Sequence, residues 1–371
     1  ADALTHDWGA ERFDVVVGNP PFLSQMAAGT TRGGSSRHGG GPYADAAAEF
    51  LALAVRLARE DGGRIGLVLP QSILGARDAE PVRRRVAELA ELTWSWWAAR
   101  QQHFDANVNV CVVGLERPAS GTPDELAWTG VVTDPLGVPG LDLGRIATDG
   151  TLGERAVLNA NFRDEYYALV PAVGDDVDGP PLVTSGLIDP GLCHWGRRRV
   201  RFAKRDFDRP RVDLDRLTGR FPAWAERKLV PKVLVANQTR IIEAVADPDG
   251  RWLPGVPVTT VTPTERTDVW ELAAVLTNPI ASIVAWHHGA GTGLSTTAIR
   301  VGPVSLGSTP WPAGSLVEAV AALQESDLDG CARSVLAAYG IGAATADPFV
   351  SWWTERLLSL IHISEPTRLW S

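Results

Sequence analysis

This sequence lacks the residues that disulfide frameworks, cysteine metal knuckles and membrane spans require. Only three of the 371 residues are cysteine, Cys111, Cys193 and Cys331, and their odd number and wide spacing exclude the first two. No run approaches about 18 uninterrupted apolar residues, and the first residues have neither the basic end nor the apolar core of a signal peptide. We therefore expect a protein of the reducing cytoplasm, with no bound metal and no membrane contact.

An excess of positive charge is absent as well. The sequence has 35 Lys and Arg against 44 Asp and Glu, a net charge of −9, so any contact with nucleic acid phosphates must be local. With 45% hydrophobic and 21% charged residues, the composition is that of a folded globular protein. At roughly 150 residues per domain, the length indicates about two or three domains.

Strands and helices alternate over the first third of the chain. The apolar runs FDVVVG and RIGLVLP predict strands buried on both faces of a parallel sheet, and a segment with helical spacing follows each. The run TWSWWAA predicts a strand whose tryptophans lie in the sheet core, beside a strand at VNVCVVGLE. The predicted elements, in the order β-α-β-α-β-β, cover residues 13–18, 46–61, 64–70, 81–92, 93–99 and 108–116. This order is half of a doubly wound α/β sheet.

The rest of the chain has a different pattern. Residues 119–181 are rich in loop signals and predict a connecting segment. From residue 182 the pattern is that of an α+β domain, whose predicted strands and helices cover residues 231–238, 256–263 and 268–288. The helical segment is broken at Asn278 and Pro279, where Asn278 can cap the second of two helices.

The residues most informative about chemistry form the turn Asn19-Pro20-Pro21-Phe22, directly after the first predicted strand. Ligands of open α/β sheets bind beyond the carboxyl ends of the strands. The exocyclic amine of adenine is a poor nucleophile because its lone pair is delocalised into the ring. The side-chain oxygen of Asn19 and a backbone carbonyl can accept its two hydrogens, and Pro20 and Pro21 offer no competing N–H. Phe22 provides a face on which a flipped base can stack, worth about 1–3 kcal/mol.

The segment FDVVVGNPPF resembles the fourth conserved motif of adenine-specific (N6) DNA methyltransferases that use S-adenosylmethionine. The resemblance implies that Asn19, Pro20 and Phe22 are catalytic and that Pro21 contacts the target base. RIGLVLP resembles the next strand of that family.

Two flanking residues have implied roles in the same family. Asp2 lies in a segment similar to the acidic motif that binds the adenine amine of the cofactor. Phe104 lies in a segment similar to the late motif whose aromatic residue also contacts the target base.

The resemblance is close over residues 1–118 and looser over residues 182–312, which are similar to the target-recognition half of restriction-modification methyltransferases. A recognition domain after the catalytic one resembles the gamma arrangement of type I modification subunits and fused type IIG enzymes. The implied fold is a partial doubly wound α/β methyltransferase sheet, with the late strands only, followed by an α+β domain. The implied divisions are the end of the methyltransferase domain at 1–118, the connecting segment at 119–181, the target-recognition domain at 182–357 and a tail at 358–371.

Some features depart from the family pattern. The glycine-rich cofactor loop of the first strand is absent and there is no initiator Met, so we expect a chain truncated at its start. Residues 289–293 (GAGTG) follow a helical segment, and a permuted methyltransferase that uses them is a less favoured alternative. Residues 358–368 (LSLIHISEPTR) resemble the translation of a sequencing adapter, and we expect no function for them.

A basic cluster lies in the second half of the chain. Between Arg197 and Arg211, eight basic and two acidic residues give a local charge of 8 − 2 = +6 on a chain of net charge −9. Such a cluster beside a recognition domain favours contact with DNA phosphates over a solvated face. The residues predicted to contact DNA are Arg197, Arg198, Arg199, Arg201, Lys204 and Arg205.

The sequence therefore predicts a site-specific DNA methyltransferase of a bacterial restriction-modification or phage-defence system. The expected methyl donor is S-adenosylmethionine, and the expected partners are double-stranded DNA and restriction or specificity subunits. Because the cofactor loop is missing, we expect this chain by itself to be inactive. Two alternatives stay open: a DNA-binding recognition fragment without activity, and a protein-glutamine or RNA N-methyltransferase, since N-P-P-[YF] also marks those families.

Overall fold

The computed structural model describes residues 3–22, 39, 41, 44–98, 108–118, 125–161, 163–265, 267–293 and 295–364. Contacts between residues divide the chain into two compact units. Unit 1 comprises Ala1–Val138 and Trp286–Ile299, and unit 2 comprises Pro139–Ala285 and Arg300–Ser371.

Unit 1 has the predicted alternation of strands and helices. Its strands are β1 (Val15–Gly18), β2 (Arg64–Pro70), β3 (Glu91–Trp97) and β4 (Val110–Glu116). Its helices are α1 (Ala46–Leu57), α2 (Ser72–Gly75), α3 (Glu80–Leu89) and α4 (Glu125–Thr133), with a 3-10 turn at Arg77–Ala79. Helix α1 begins after Asp45, whose carboxylate accepts a hydrogen bond from the N–H of Ala47 at 2.9 Å. The predicted boundaries are correct to within a few residues.

The four strands form one sheet in the order β1-β2-β4-β3. Strands β1 and β2 are parallel, with Gly18 opposite Leu67, whereas β4 is antiparallel to both β2 and β3. The predicted pairing of the last two strands is therefore confirmed. Because β1 and β2 are parallel, the residues that follow them lie at the same edge of the sheet, which we call the carboxyl edge.

One face of this sheet is buried, and the other is uncovered in the part of the chain that the structure describes. The buried face contacts α1 and α4, and its residues include Ile65, Leu67, Leu69, Val113 and Leu115. On the other face the side chains of Val15, Val17, Trp94 and Trp96 are 58%, 75%, 58% and 41% exposed. The predictions that the first strand is buried on both faces and that these tryptophans lie in the core are wrong. Side chains alternate along a strand, so every second residue points to the uncovered face.

The remaining elements, most of them in unit 2, are shorter. The strands are β5 (Thr148–Thr151), β6 (Ala156–Ala160), β7 (Val173–Gly174), β8 (Leu182–Val183), β9 (Ile188–Asp189), β10 (Leu192–Cys193), β11 (Val200–Phe202), β12 (Arg205–Phe207), β13 (Arg211–Val212), β14 (Lys232–Ala236), β15 (Gln238–Thr239), β16 (Ala244–Asp247), β17 (Leu253–Pro254), β18 (Val258–Pro263), β19 (Ile299–Arg300) and β20 (Pro310–Pro312). The helices are α5 (Arg163–Leu169), α6 (Phe221–Lys228), α7 (Val269–Leu276), α8 (Pro279–Gly289), α9 (Pro303–Gly307), α10 (Val317–Gln324), α11 (Leu328–Ala338) and α12 (Ala343–Ser364).

The largest sheet of unit 2 is antiparallel, in the order β16-β14-β18-β6. All five residues of β14 are buried, so this strand lies at the centre of the core. The two predicted strands of this region are β14 and β18, and the predicted helix pair is α7 and α8. Asn278 caps α8 as predicted, because its side-chain oxygen accepts hydrogen bonds from the N–H groups of Ile280 at 2.7 Å and Ala281 at 3.3 Å.

Residues 119–181, predicted as a connecting segment, contain regular structure. Strand β6 in this segment pairs with β18 and forms one side of the main sheet of unit 2. Only its first residue, Ala156, is fully buried, so the strand has a weak apolar signature. At the other end of the chain, α12 continues to Ser364, beyond the start of the predicted tail.

No single helix among the described residues is long and apolar enough to cross a membrane. Helices α7 and α8 reach that length and composition only as a pair, and they are bent by 62° at the break between them.

Candidate functional site

The turn Asn19-Pro20-Pro21-Phe22 follows β1 at the carboxyl edge of unit 1, where the sequence predicts it. Pro20 is buried and Phe22 is half-buried, whereas Asn19 and Pro21 are exposed. The buried proline and the parallel pairing of β1 with β2 fix the position of the turn. The amide of Asn19 is therefore available at this edge to a ligand that arrives from solvent.

Gln71 is a residue of the same edge that the sequence analysis missed. It follows β2 directly and is 1% exposed. Its side-chain Nε2 donates to the carbonyl oxygens of Val110 at 3.0 Å and Ala98 at 3.4 Å, and its backbone N–H donates to the carbonyl of Asn109 at 2.8 Å. These carbonyls border the segment that contains Phe104. The sequence does contain a signal for Gln71, because it is a polar residue immediately after a predicted apolar strand. The structure shows that this strand is parallel to β1.

The other side-chain atom of Gln71 is also informative. Its Oε1 is buried and has no hydrogen-bond partner among the described residues. An unsatisfied buried acceptor costs free energy, which offsets part of what the hydrogen bonds donated by Nε2 contribute.

The glycine-rich run at residues 289–293 packs on the same part of unit 1. A Cβ atom on Gly291 would lie 2.3 Å from the carbonyl oxygen of Gln71, and one on Gly75 would lie 2.6 Å from the carbonyl oxygen of Ala290. Gly291 also has a φ of +79°, which favours glycine. These glycines allow two backbone segments to approach closely, and the contact leaves no space for a cofactor between them.

Two residues with predicted roles, Asp2 and Phe104, lie outside the described residues, as does most of the glycine-rich segment at 29–41. The described residues contain no group of three or more His, Cys, Asp or Glu side chains that could hold a metal ion.

The basic cluster of unit 2 separates into two sets of side chains. Five of its eight cations contact groups of unit 2: Arg198 pairs with Asp189, Arg199 with Asp208, Arg205 with the ring of Phe207, and Arg209 and Arg211 with the ring of Trp195. The other three, Arg197, Arg201 and Lys204, are exposed, and their side chains have no partner in the described part of the chain. Of the predicted DNA contacts, these three make no ion pair and no ring contact with the described residues.

Arg198 belongs to a half-buried ionic network rather than to the surface. Its guanidinium donates to both carboxylate oxygens of Asp189, at 3.0 and 2.8 Å, and the Nε2 of His194 lies 2.7 Å from the same carboxylate. Burial raises the pKa of Asp189, but the hydrogen bonds and charges of Arg198 and His194 outweigh it, and the net pKa is lowered. Nearby Glu243 has a pKa raised to about 8, first by burial and then by the charge of Asp189.

Comparisons with known proteins match the first part of the chain to one protein family. Residues 1–94 match the Eco57I restriction-modification methylase family. We call this part the matched segment. It includes β1, the turn and β2, and it ends within β3. No curated protein matches the chain.

Solved structures are similar to this chain over more of its length than residues 1–94. The Type IIL restriction-modification enzyme MmeI, solved in complex with DNA, is similar with a TM-score of 0.57 and 11% identity, over 98% of this chain and 60% of that chain. The type IIG restriction endonuclease BpuSI is similar with a TM-score of 0.35 and 12% identity, over 92% and 54%. A type I methyltransferase subunit from Streptococcus thermophilus is similar with a TM-score of 0.26 and 24% identity, over 32% and 27%. The α/β fold class predicted from the sequence is confirmed, and the chain spans 60% of the length of MmeI.

Proposed function

We propose that the protein is a site-specific DNA methyltransferase of a restriction-modification system, which transfers a methyl group from S-adenosylmethionine to N6 of a flipped adenine. The observation that carries the proposal is the exposed Asn19, held by a buried proline at the carboxyl end of β1 within the matched segment. The open carboxyl edge of a parallel strand pair is where α/β sheets bind their ligands.

The chemistry follows from the groups that the turn presents. The amide oxygen of Asn19 and a backbone carbonyl of the turn accept the two hydrogens of the adenine amine. This draws the nitrogen towards tetrahedral geometry and localises its lone pair. The half-buried ring of Phe22 provides the stacking face for the flipped base. Such interactions are made with the reacting amine, so they act mainly on the turnover rate.

When bound, the methyl donor would supply the electrophilic methyl group that the adenine amine attacks. The glycine-rich run at 289–293 is closed by its contact with the backbone of Gln71. Asp2, the residue with the implied cofactor role, lies outside the described residues.

The DNA partner is proposed from the exposed cations of unit 2. Arg197 and Lys204 are exposed cations whose side chains have no partner among the described residues, on a chain whose net charge is −9. Phosphate contacts of this kind position a protein on duplex DNA without specifying sequence.

The test measures methyl transfer by the complete protein. Duplex DNA is incubated with radiolabelled S-adenosylmethionine and then digested to nucleosides, which are identified by mass spectrometry. We expect labelled N6-methyladenine, and we expect Asn19→Ala to lower kcat by at least about 100-fold because the interaction with the reacting amine is lost.

Asn159→Ala is the matched control, because Asn159 is an exposed residue of β6 in unit 2 and should retain full turnover. Label found in RNA or in protein glutamine instead of DNA would replace the proposal with the corresponding methyltransferase. Normal turnover by Asn19→Ala would refute the assigned role of Asn19.

A further inference from the structure

Strands β11 and β12 form a short hairpin in unit 2. The strands are antiparallel, with Val200 opposite Phe207, Arg201 opposite Asp206 and Phe202 opposite Arg205. Two residues, Ala203 and Lys204, connect them, and both have positive φ angles of 50° and 63°. Two-residue hairpin loops of this kind normally contain glycine or asparagine, so this tip is strained.

The inner face of the hairpin is anchored in the core of unit 2. Phe202 and Phe207 are each 4% exposed and belong to one hydrophobic cluster, against which Ala203 also packs. The ring of Phe202 lies 5.1 Å from that of Tyr166. The anchoring holds the strained tip in place and fixes which side chains face solvent.

The outer face carries two cross-strand pairs of an arginine and an aspartate. Arg199 and Asp208 form a two-point ion pair with distances of 2.9 and 3.2 Å, and both are exposed. One pair further along, Arg201 lies opposite Asp206, and both side chains are again exposed. The formal charge of this face is zero, so it is poorly suited to binding phosphates. The outer face does present guanidinium donors beside carboxylate acceptors, and the pairing of β11 with β12 fixes the spacing between them.

We propose that this outer face reads base edges in the major groove of the target DNA, with Arg201 and Asp206 as specificity-determining residues. The inference rests on the proposed function. The major groove admits a two-stranded β-ribbon, and guanine presents two acceptors there while its partner cytosine presents an amino donor. Arginine donates to the guanine edge and aspartate accepts from the cytosine amine, so the pair matches a G·C base pair.

Lys204 has a different role in this arrangement. It is exposed at the strained tip, beyond the last cross-strand pair, and no described group neutralises it. The chain has three lysines, and the other two, Lys228 and Lys232, are half-buried or buried. Lys204 contacts a backbone phosphate beside the groove and positions the ribbon, which a base-reading face of zero charge cannot do alone.

The experiment is selection of bound sequences from a randomised duplex DNA library by the complete wild-type protein and by three variants. Arg201→Ala and Asp206→Ala should each lose discrimination at one G·C position, by about 5- to 150-fold. Lys204→Ala is the matched control from the same hairpin. It should keep the sequence preference and reduce the magnitude of the slope of log affinity against log salt by about 0.9.

The results distinguish a failure of the base-reading inference from a failure of the proposed methyltransferase function. If the wild-type protein selects a sequence and both Arg201→Ala and Asp206→Ala select it equally strongly, with unchanged melting temperatures, the outer face is a solvated one and this inference is overturned. If the wild-type protein selects no sequence, the DNA-methyltransferase proposal is overturned together with it.

Lys204→Gly tests the hairpin separately, because it relieves the strain at φ +63° while it removes the charge. Its salt slope should match that of Lys204→Ala.

Discussion

The ammonium group of Lys232 lies 2.6 Å from a carboxylate oxygen of Asp247, and both side chains are almost completely buried. The two residues are directly opposite each other on β14 and β16. The carboxylate also accepts hydrogen bonds from the backbone N–H groups of Arg251 and Trp252, both at 3.0 Å. Burial lowers the pKa of Lys232, while the hydrogen bond and charge of Asp247 oppose that effect. The pair therefore connects the central strand of unit 2 to the turn after β16.

Lys232→Met should destabilise the protein by about 3–5 kcal/mol, because it leaves the buried charge of Asp247 without its partner. Denaturant unfolding followed by circular dichroism measures the change. Lys228→Met is the control, since Lys228 is half-buried and makes a hydrogen bond to the Oγ1 of Thr260 at 3.0 Å. We expect a loss of about 1 kcal/mol there. Equal losses for the two variants would show that the buried pair has no special contribution.

Glu243 should make the folded state less stable as the pH rises from about 4.5 to about 8. Its pKa is raised to about 8 by burial and by Asp189, although Arg198 and Arg240 partly oppose this. The unfolded carboxyl ionises first, so the folded state binds more protons across this range and stability falls with pH. Glu243→Gln removes the titration. The difference in melting temperature between variant and wild type should grow in favour of the variant from pH 5 to pH 8, and a constant difference would contradict the raised pKa.

Gln71→Leu should cost about 1–3 kcal/mol, because the substitution removes the donor to two carbonyl groups at the ends of β3 and β4. Thermal unfolding measures the loss. Gln324→Leu on the exposed surface of α10 is the control and should change stability by no more than about 0.5 kcal/mol. A result for Gln71→Leu within that small range would mean that the two hydrogen bonds contribute little.

Replacing both Trp94 and Trp96 with glutamine should reduce binding of the dye ANS and leave the melting temperature nearly unchanged. The two side chains are 58% and 41% exposed on the uncovered face of the sheet, so they contribute apolar surface but little core packing. Trp97→Gln is the control on the opposite face. Trp97 is half-buried opposite the buried Cys111, so this change should lower the melting temperature. A large fall for the Trp94 and Trp96 variant would show that other parts of the protein cover this face.

The 371-residue chain should bind S-adenosylmethionine negligibly when it is tested alone. The glycine-rich run among its described residues is closed by the contact between Gly291 and the backbone of Gln71. Isothermal titration calorimetry with S-adenosylmethionine checks this, and a micromolar site would contradict it.

Much of unit 1 could be predicted from the sequence because its elements have strong local signals. RIGLVLP is a continuous apolar run between glycine and glutamine, and β2 occupies those seven residues. In unit 2, Asn278 and Pro279 give a capping signal of the same local kind, and α8 begins where they predict. The Asn19 turn could be located for the same reason, since it directly follows an apolar strand.

The outcome for β6 shows why unit 2 was harder to predict. After the buried Ala156 its residues alternate between exposed and half-buried, and its pairing partner β18 is about a hundred positions away in the chain. A short strand of this kind is stabilised by its neighbours rather than by its own residues, so its local pattern is weak. Gln71 was missed for a similar reason, because its hydrogen-bond partners at Ala98 and Val110 are distant in sequence.

The sequence by itself determined where the strands and helices of unit 1 lie, which turn follows its first strand, and that a basic cluster stands out on an acidic chain. These properties depend on apolar periodicity, on proline and on charge, which neighbouring residues specify. Only the tertiary structure decided which cations of the cluster are available and which face of the sheet is uncovered. Asp189 and Asp208, which engage Arg198 and Arg199, are each nine residues away along the chain, and the folding of the intervening strands brings them together. Burial depends on what packs above each side chain.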